Sequence, residues 1–573
     1  SGEQRRHLLT VAMEDYYHVG AFNRLIQRGQ WYRFETRVER GARATLDLLD
    51  EYDIRATFFV LGWIADTMPE LVREVADRGH EIASKGYYHR GIQQLSPPEF
   101  REDLARAREA LQRACGQRIL GYRVADRWFE PADLWALDVL AGEGYEYDSS
   151  IAPILYSYVA RPWCRFAHEH RFGDRTLWEF PISTASFLGC MVPIAGGNYF
   201  RQLPHFLIRR AVARWDRVYH APFVMYFHTW EMDPDQPKIQ AAPIAQRIRQ
   251  YRHLERMPII LRHYFERYRF TGVADRLGLS TALAVAPSAA PRPASRLPER
   301  IREPAATGTP PRAADAERTP VTVVVPCYNE ELILPYLANT LRSVEESLSE
   351  AYRLQFVFVD DCSRDGTLGA LNQIFGTRPN CTVLHHSSNR GVAAGILTGI
   401  KRAETEIVCS IDCDCTYDPH ELARMIPLLT DGVDLVTASP YHPLGGVRNV
   451  PQWRLFLSKT ASRLYRLVLH QKIRTFTSCF RVYRRSAALR LRIQRSGFLG
   501  VAEMIGKLDL AGARIVEFPT TLEVRMLGRS KMKVLRTIVG HIGLLSELAW
   551  QRMFRRGRPA GVAAPGSVGT GAA

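Results

Sequence analysis

The chain has 573 residues, 46% of them apolar and 24% charged, a balance ordinary for folded protein that excludes a wholly disordered polypeptide. That length predicts two or more domains, each large enough for its own core. The net charge of +16 points to an anionic partner, and no run of about 18 apolar residues is present to predict a membrane-spanning helix. The start, Ser-Gly-Glu-Gln-Arg-Arg, has no apolar signal core, so a cytoplasmic protein is expected. Several of the ten cysteines fall inside predicted strands and none forms Cys-x-x-Cys, which predicts free thiols rather than bridges or zinc.

From the N-terminus, strand and helix patterns alternate: strand His7–Met13, helix Arg40–Glu51, strand Ala56–Leu61, helix Glu70–Arg78 and strand Glu81–Ala83. Helix Pro98–Arg113, strand Ile119–Val124 and helix Pro131–Glu143 follow. Repeated βα units predict a barrel whose chemistry sits at the carboxyl ends of its strands. Polar residues fall there: Glu14 and Asp15, Lys85 through His89, Arg123, Asp148 and His228.

Residues 281–319 are rich in Pro, Ala and Arg and too poor in large apolar residues to fold alone, so they read as a linker. It separates a first domain, 1–280, from a second, 320–556; the Gly/Ala/Pro-rich residues 557–573 read as a disordered tail.

The second domain opens with Val321-Thr-Val-Val-Val-Pro-Cys-Tyr-Asn-Glu-Glu331, a buried strand, a turn and a helix start. Phe356-Val-Phe-Val-Asp-Asp361 is a second such strand, Cys381–His385 a third, and Asn389-Arg-Gly-Val-Ala-Ala-Gly395 opens a helix. The apolar run Ile407–Ile411 is a fourth strand, ending in Asp412 and Asp414. Strands alternating with helices predict a doubly wound α/β sheet that binds ligand at its carboxyl edge. An Asp-x-Asp at that edge can offer both carboxylates to one hard cation, Mg²⁺ or Mn²⁺, although alone it would read as an acidic turn.

Charge is uneven. Between Asp434 and Glu503 there is no acid but thirteen Lys or Arg. Within this run Pro451–His470 sets Trp453, Leu455, Phe456, Leu457, Leu464, Tyr465, Leu467 and Val468 among Arg454, Lys459, Arg463 and Arg466. That pattern predicts an amphipathic basic helix on an anionic membrane surface, with a plain core-facing helix as the alternative. Neither stacked aromatics nor a zinc motif accompanies it, so no nucleic-acid partner is expected.

Over about residues 7–270 the sequence resembles the NodB-type polysaccharide deacetylases. The stretches that carry this are Glu14-Asp-Tyr-Tyr-His-Val19, Ala56-Thr-Phe-Phe-Val-Leu-Gly62, Gly79-His-Glu-Ile-Ala-Ser-Lys-Gly-Tyr-Tyr-His89, Gly121-Tyr-Arg123, Tyr147-Asp-Ser-Ser-Ile151, Glu179-Phe-Pro181 and His228-Thr-Trp-Glu231. The resemblance implies a NodB-like (β/α) barrel, a divalent metal on one Asp and two His, a carboxylate base and a His acid. This chain departs from that pattern. Lys85 stands where the family has a His ligand, and Ala12 stands where relatives commonly carry Asp. The metal Asp is matched by Asp15, with Glu14 or the missing residue at position 12 as base. Alternatively, Lys85 takes the cation's place and pairs with Asp15. Bound Zn²⁺ and deacetylase activity are therefore expected to be lost, with the fold kept to bind sugar or to position its neighbour.

Over about residues 320–532 the sequence resembles the family 2 glycosyltransferases of the GT-A fold. The resemblance implies a nucleotide-sugar site of Pro326, Tyr328, Asn329, Glu330, Asp361 and Asp412, with Mg²⁺ or Mn²⁺ on Asp412 and Asp414. For Asn329 a helix cap is the compatible alternative. Arg525-Met-Leu-Gly-Arg-Ser-Lys531 and Ser478-Cys-Phe-Arg-Val-Tyr-Arg484 resemble the polyprenyl-phosphate sugar transferases. That implies an acceptor phosphate held by Arg448, Arg481, Ser530 and Lys531, with Arg525 and Lys531 serving catalysis. A hydroxyl acceptor would need a base instead, and only Glu503 is placed for it. The joint expectation is a transferase of envelope glycan synthesis, peripheral on the inner face of the plasma membrane. The alternatives are a bifunctional transferase and N-deacetylase, or a hydroxyl-acceptor transferase for exopolysaccharide.

Overall fold

The computed structural model describes residues 5–154, 158, 161–187, 190–283, 318–450, 452–528 and 534–555. Most of the expected linker, the expected tail, Pro451, Ser530 and Lys531 lie outside the described residues. The chain divides into two compact units, Ser1–Thr307 and Gly308–Ala573.

The first unit holds strands β1 (Arg6–Met13), β2 (Thr57–Val60), β3 (Glu81–Ser84), β4 (Gly121–Tyr122), β5 (Tyr147–Asp148), β6 (His168–Phe172), β7 (Arg175–Glu179), β8 (Thr184–Phe187), β9 (Cys190–Pro193), β10 (Val224–His228) and β11 (Arg269–Thr271). Its main sheet runs β10-β1-β2-β3-β4-β5-β7-β6 with β11 added on β1; all pairs are parallel except β6 on β7. This is the strand sequence of a barrel. Among the described residues no ladder joins β6 to β10, so the barrel stays open there. In β1, β2 and β3 almost every side chain is buried, as a parallel sheet covered on both faces requires. Helix placement follows local chemistry: Pro97–Cys115 starts at a Ser96–Glu99 capping box with Pro in the first turn and ends on left-handed Gly116.

The second unit holds β12 (Thr319–Cys327), β13 (Tyr352–Asp360), β14 (Cys381–His385), β15 (Ile407–Ser410), β16 (Leu435–Ser439), β17 (Gly446–Arg448), β18 (Arg481–Arg484), β19 (Ile515–Pro519) and β20 (Thr521–Glu523). Its main sheet runs β14-β13-β12-β15-β18-β16-β19, with β18 antiparallel to both neighbours. The parallel strands β12, β13 and β15 bring Asn329, Asp361 and Asp412 to one carboxyl edge. Separately, β17 and β20 form a two-stranded parallel ribbon, pairing Gly446 with Thr521 and Arg448 with Glu523.

The basic helix spans Gln452–Val468, and a second long helix, Val534–Arg555, packs against it. Tyr465 and Leu469 are buried, while Phe456 is 69% and Leu467 75% exposed. Among the described residues no helix is long and apolar enough to cross a membrane.

Candidate functional sites

Beyond β15 the chain turns: the Cys415 N–H donates to the Asp412 carbonyl at 3.1 Å, and Cys415 is left-handed at φ +51°. Cys413, Cys415 and Tyr417 are buried while Asp412, Asp414, Thr416 and Asp418 are half-buried. The turn sets Asp412 and Asp414 close enough for their charges to interact. Burial and the Asp414 charge push the Asp412 carboxyl up to about 7, against the thiol of Cys479, which donates to it, and the cations of Arg481 and Arg525. Asp414 accepts the Thr416 N–H at 3.1 Å and lies 3.5 Å from Nη1 of Arg525. Nη2 of Arg525 pairs with Glu330 at the end of β12.

Together, Asp412, Asp414 and Glu330 face the guanidinium groups of Arg481 and Arg525, so carboxylates outnumber cations. The donor set is hard oxygen. Asp412 and Asp414 are therefore a donor set that would suit a hard divalent cation. No group of three or more His, Cys, Asp or Glu among the described residues is placed to enclose a metal alone.

A cavity of about 390 Å³ opens from this acid pair. Tyr417, Thr475, Thr477 and Ser478 line it near the carboxylates, and Leu457, Leu464, Phe498, Leu522, Ile542 and Leu545 form its walls. Those walls come from the helices Gln452–Val468, Gly497–Leu510 and Val534–Arg555, with Leu522 from β20. His541, from the last helix, also lines the cavity and bonds the Tyr465 hydroxyl at 2.8 Å. The sequence reading missed the helix Val534–Arg555, His541 and the small hydroxyl residues. An apolar repeat near period 3.6 running through 534–555 was the available signal.

Several expected site residues are placed elsewhere. Glu503 does not face the acid pair: it is 0% exposed, accepts the N–H groups of Gln494 (3.1 Å) and Arg495 (2.8 Å), and pairs with Lys507 at 2.5 Å. It fastens its own helix to the preceding loop. Arg481 is also 0% exposed and donates to the carbonyls of Val501 (3.0 Å) and Phe476 (2.8 Å), so no acceptor phosphate reaches it. Asp361 accepts the N–H groups of Arg390 (2.8 Å) and Gly391 (2.6 Å) and bonds His386 at 2.8 Å, which commits its carboxylate to the loop. Gly391 is required there. Its φ is +86°, and a Cβ would lie 2.4 Å from the Gly497 nitrogen.

Asn329, left-handed at φ +52°, accepts the Arg364 N–H at 2.6 Å and so ties β12 to the β13 loop rather than capping a helix. Pro326 and Tyr328 are half-buried at the end of β12. Arg448 is exposed and lies 3.6 Å from Glu523 across the ribbon.

In the first unit a cavity of about 600 Å³ lies at the carboxyl edge of β1, β3, β4 and β10, lined by Ala12, Glu14, Lys85, His89, Arg123 and His228 among others. Its centre is Glu14, 2% exposed. One carboxylate oxygen pairs with the Lys85 ammonium and with His89 Nε2 at 3.1 Å; the other lies 3.5 Å from His228 Nε2. Burial alone would push this carboxyl up, but Lys85, His89 and His228 together hold it well below the usual range. His228 is oriented from behind by Glu231 at 3.2 Å, itself paired with buried Arg201 at 2.7 Å.

The pairing of Lys85 with Asp15 does not occur. Asp15 turns away and accepts the N–H groups of Tyr16 (2.8 Å), Arg37 (2.7 Å) and Val38 (3.0 Å), starting the helix Val38–Glu51. Asp148 also lies outside the cavity lining. It is buried beside Glu179 and accepts from Ser150. Arg123 lines the wall but spends its guanidinium on Ser149 and Thr10. Zinc does not fit here. A catalytic site supplies three protein ligands; Glu14, His89 and His228 are not placed to share a metal, and the Glu14 oxygen facing His89 is taken by an ammonium that has no lone pair while protonated.

Three family models match the chain: polysaccharide deacetylase over residues 31–127, a domain of unknown function (DUF3473) over 149–277, and glycosyl transferase family 2 over 322–492. The polyprenol monophosphomannose synthase of Mycolicibacterium smegmatis is 31% identical over 238 residues, 40% of this chain and 87% of that protein. The undecaprenyl-phosphate mannosyltransferase of Micrococcus luteus is 30% identical over 220 residues, 37% of this chain and 87% of that protein. For the first unit, the chitooligosaccharide deacetylase of a Bradyrhizobium species is 31% identical over 120 residues, 21% of this chain; the match spans about half of that protein, 51%.

Proposed function

The chain belongs, through its second unit, to glycosyl transferase family 2, and we propose that it moves a sugar from a nucleotide sugar to a polyprenyl phosphate at a membrane surface. The observation that carries this reading is the cavity of about 390 Å³, with Asp412 and Asp414 at its polar end and apolar helix walls beyond. A lipid phosphate needs that shape: an anionic head beside the donor and an isoprenoid chain out of water. Asp412 and Asp414 would hold Mg²⁺ or Mn²⁺, which stabilises the departing diphosphate. Arg525 adds a fixed positive charge 3.5 Å from Asp414. A phosphate acceptor is already a nucleophilic anion, so no base is needed to deprotonate it. The commitment of Glu503 to Gln494, Arg495 and Lys507 weighs against the hydroxyl-acceptor alternative. Cations for the acceptor phosphate remain available in exposed Arg448 and in the Ser530-Lys531 stretch.

The exposed apolar residues Phe456, Leu467, Val539, Ile542 and Met553, beside Lys459 and Arg463, suit two helices lying in an anionic bilayer interface. An inner-face, peripheral location follows from that chemistry. The first unit would be a non-hydrolytic partner domain, because Lys85 stands where a metal would act.

The test is transfer of labelled sugar by the full chain to polyprenyl phosphate and, in parallel, to the polyprenol lacking phosphate. Transfer to the first alone is expected. Equal transfer to the alcohol would overturn the acceptor assignment, and acetate release from an N-acetylated glycan would overturn the reading of the first unit.

A further inference from the structure

The acid pair of the second unit is wrapped in thiols. Cys413 lies between Asp412 and Asp414, and its Sγ stands 3.7 Å from Sγ of Cys327, the last residue of β12. The β12–β15 ladder ends at Val324 and Ser410, and beyond it the side chains of Cys327 and Cys413 meet. Neighbouring strands run about 4.8 Å apart, and a disulfide joins Cα atoms about 4.4–6.8 Å apart. Both side chains are buried, and both thiols are free.

We propose that Cys327 and Cys413 are a dithiol modification site, which a small disulfide oxidant closes and a thiol reopens, switching the donor site off and on. The proposal rests on the assignment of Asp412 and Asp414 to the donor site. In the closing reaction two S–H bonds break and one S–S bond forms. Two electrons and two protons pass to the oxidant, for example glutathione disulfide, which leaves as two thiols. The sulfurs must approach from 3.7 Å to about 2 Å. That movement pulls residue 413 toward β12 and takes Asp412 and Asp414 with it. On the other side it shifts Pro326, Tyr328 and Asn329, which flank Cys327.

The full-length protein is equilibrated in glutathione redox buffers, trapped by alkylation and mapped by peptide mass spectrometry, with transfer and nucleoside diphosphate binding measured in parallel. One bridge, Cys327–Cys413, is expected. Oxidation should cost about a hundredfold in transfer, the scale of an ångström-size displacement, and dithiothreitol should restore it. Cys327→Ala should keep the reduced activity and lose the sensitivity to oxidant; Cys413→Ala is the second variant should the first fold poorly. A different bridge, no bridge in oxidising buffer, or a bridge that leaves nucleotide binding and transfer unchanged would each overturn the proposal. Failure of the transferase reading shows separately, as no transfer by fully reduced protein, and leaves the bridge and the nucleotide-binding loss still measurable.

Discussion

The two units gather carboxylates at the carboxyl edge of a parallel sheet, and they balance that charge in opposite ways. In the first, the counter-charge is covalently part of the chain: the Lys85 ammonium is buried against Glu14, flanked by His89 and His228. In the second, Asp412, Asp414 and Glu330 outnumber Arg481 and Arg525, and the deficit is left for something that arrives from outside. A site with its cation built in has nothing to exchange. A site that lacks one can bind, release and bind again. The same motif, acid at a strand end, therefore reads as structure in one unit and as chemistry in the other.

The contrast breaks most visibly at Asp414. Asp414→Asn removes half of the anionic pair and is expected to cost about 10³ or more in sugar transfer at saturating Mn²⁺ or Mg²⁺, since a bound cation contributes several kcal/mol to such a step. Near-normal rates would mean that the pair holds no cation. Next comes Lys85→Met, which strands a buried carboxylate; losing one partner of a buried pair costs about 3–5 kcal/mol. Denaturant unfolding of the first unit reads this directly. Lys85→His should instead raise affinity for zinc in equilibrium dialysis, because it trades a repelling ammonium for a lone pair.

A smaller effect is expected at Glu503. Glu503→Gln should lower stability by about 1–3 kcal/mol, the cost of poorly satisfied buried donors, and leave turnover within about tenfold. A base for a hydroxyl acceptor would instead cost about 10²–10⁴ in turnover.

The pH dependence should carry opposite signs at Asp412 and at Glu14. Asp412 has its folded-state value raised to about 7 from 3.8, so the native state holds the extra proton between those values. Its contribution therefore lowers stability as pH rises through that window, and an added divalent cation should cancel the loss. Glu14 is held well below its ordinary 4.5, so its stabilisation is present above that value and is lost as pH falls below it. Thermal unfolding across pH, with and without Mn²⁺, measures both. The smallest effect is surface binding: sedimentation with anionic vesicles should be lost near 1 M salt, where screening shortens electrostatic reach to about 3 Å.

How much of this was legible in sequence depends on what each residue's role requires. The βα alternation and the buried strands β1, β12, β13 and β15 were plain, because hydrophobic period decides them. That Asp412 and Asp414 lie just past the end of β15 was legible, because the apolar run before them marks the strand. Glu503 and Arg481 were misplaced, and the bonds of Asp361 to the loop were not foreseen, since sequence cannot tell a carboxylate or guanidinium facing a cleft from one bonded to backbone N–H or C=O groups. Asp15 and Glu14 show the same limit at its finest. Adjacent residues point to opposite sides of an extended chain, and only the fold decides which of them meets Lys85.

The ribbon of β17 and β20 ties together segments that sequence separates by more than seventy residues. One segment leads to Arg448 and on toward the basic helix. The other leads from Glu523 to Arg525, which holds Asp414. Because both are strands of one ladder, neither can swing without the other. A displacement at Arg448 is therefore passed through the ladder toward Arg525. The two segments are packed closely where they meet: a methyl group on Gly446 would lie 3.2 Å from the Thr521 hydroxyl.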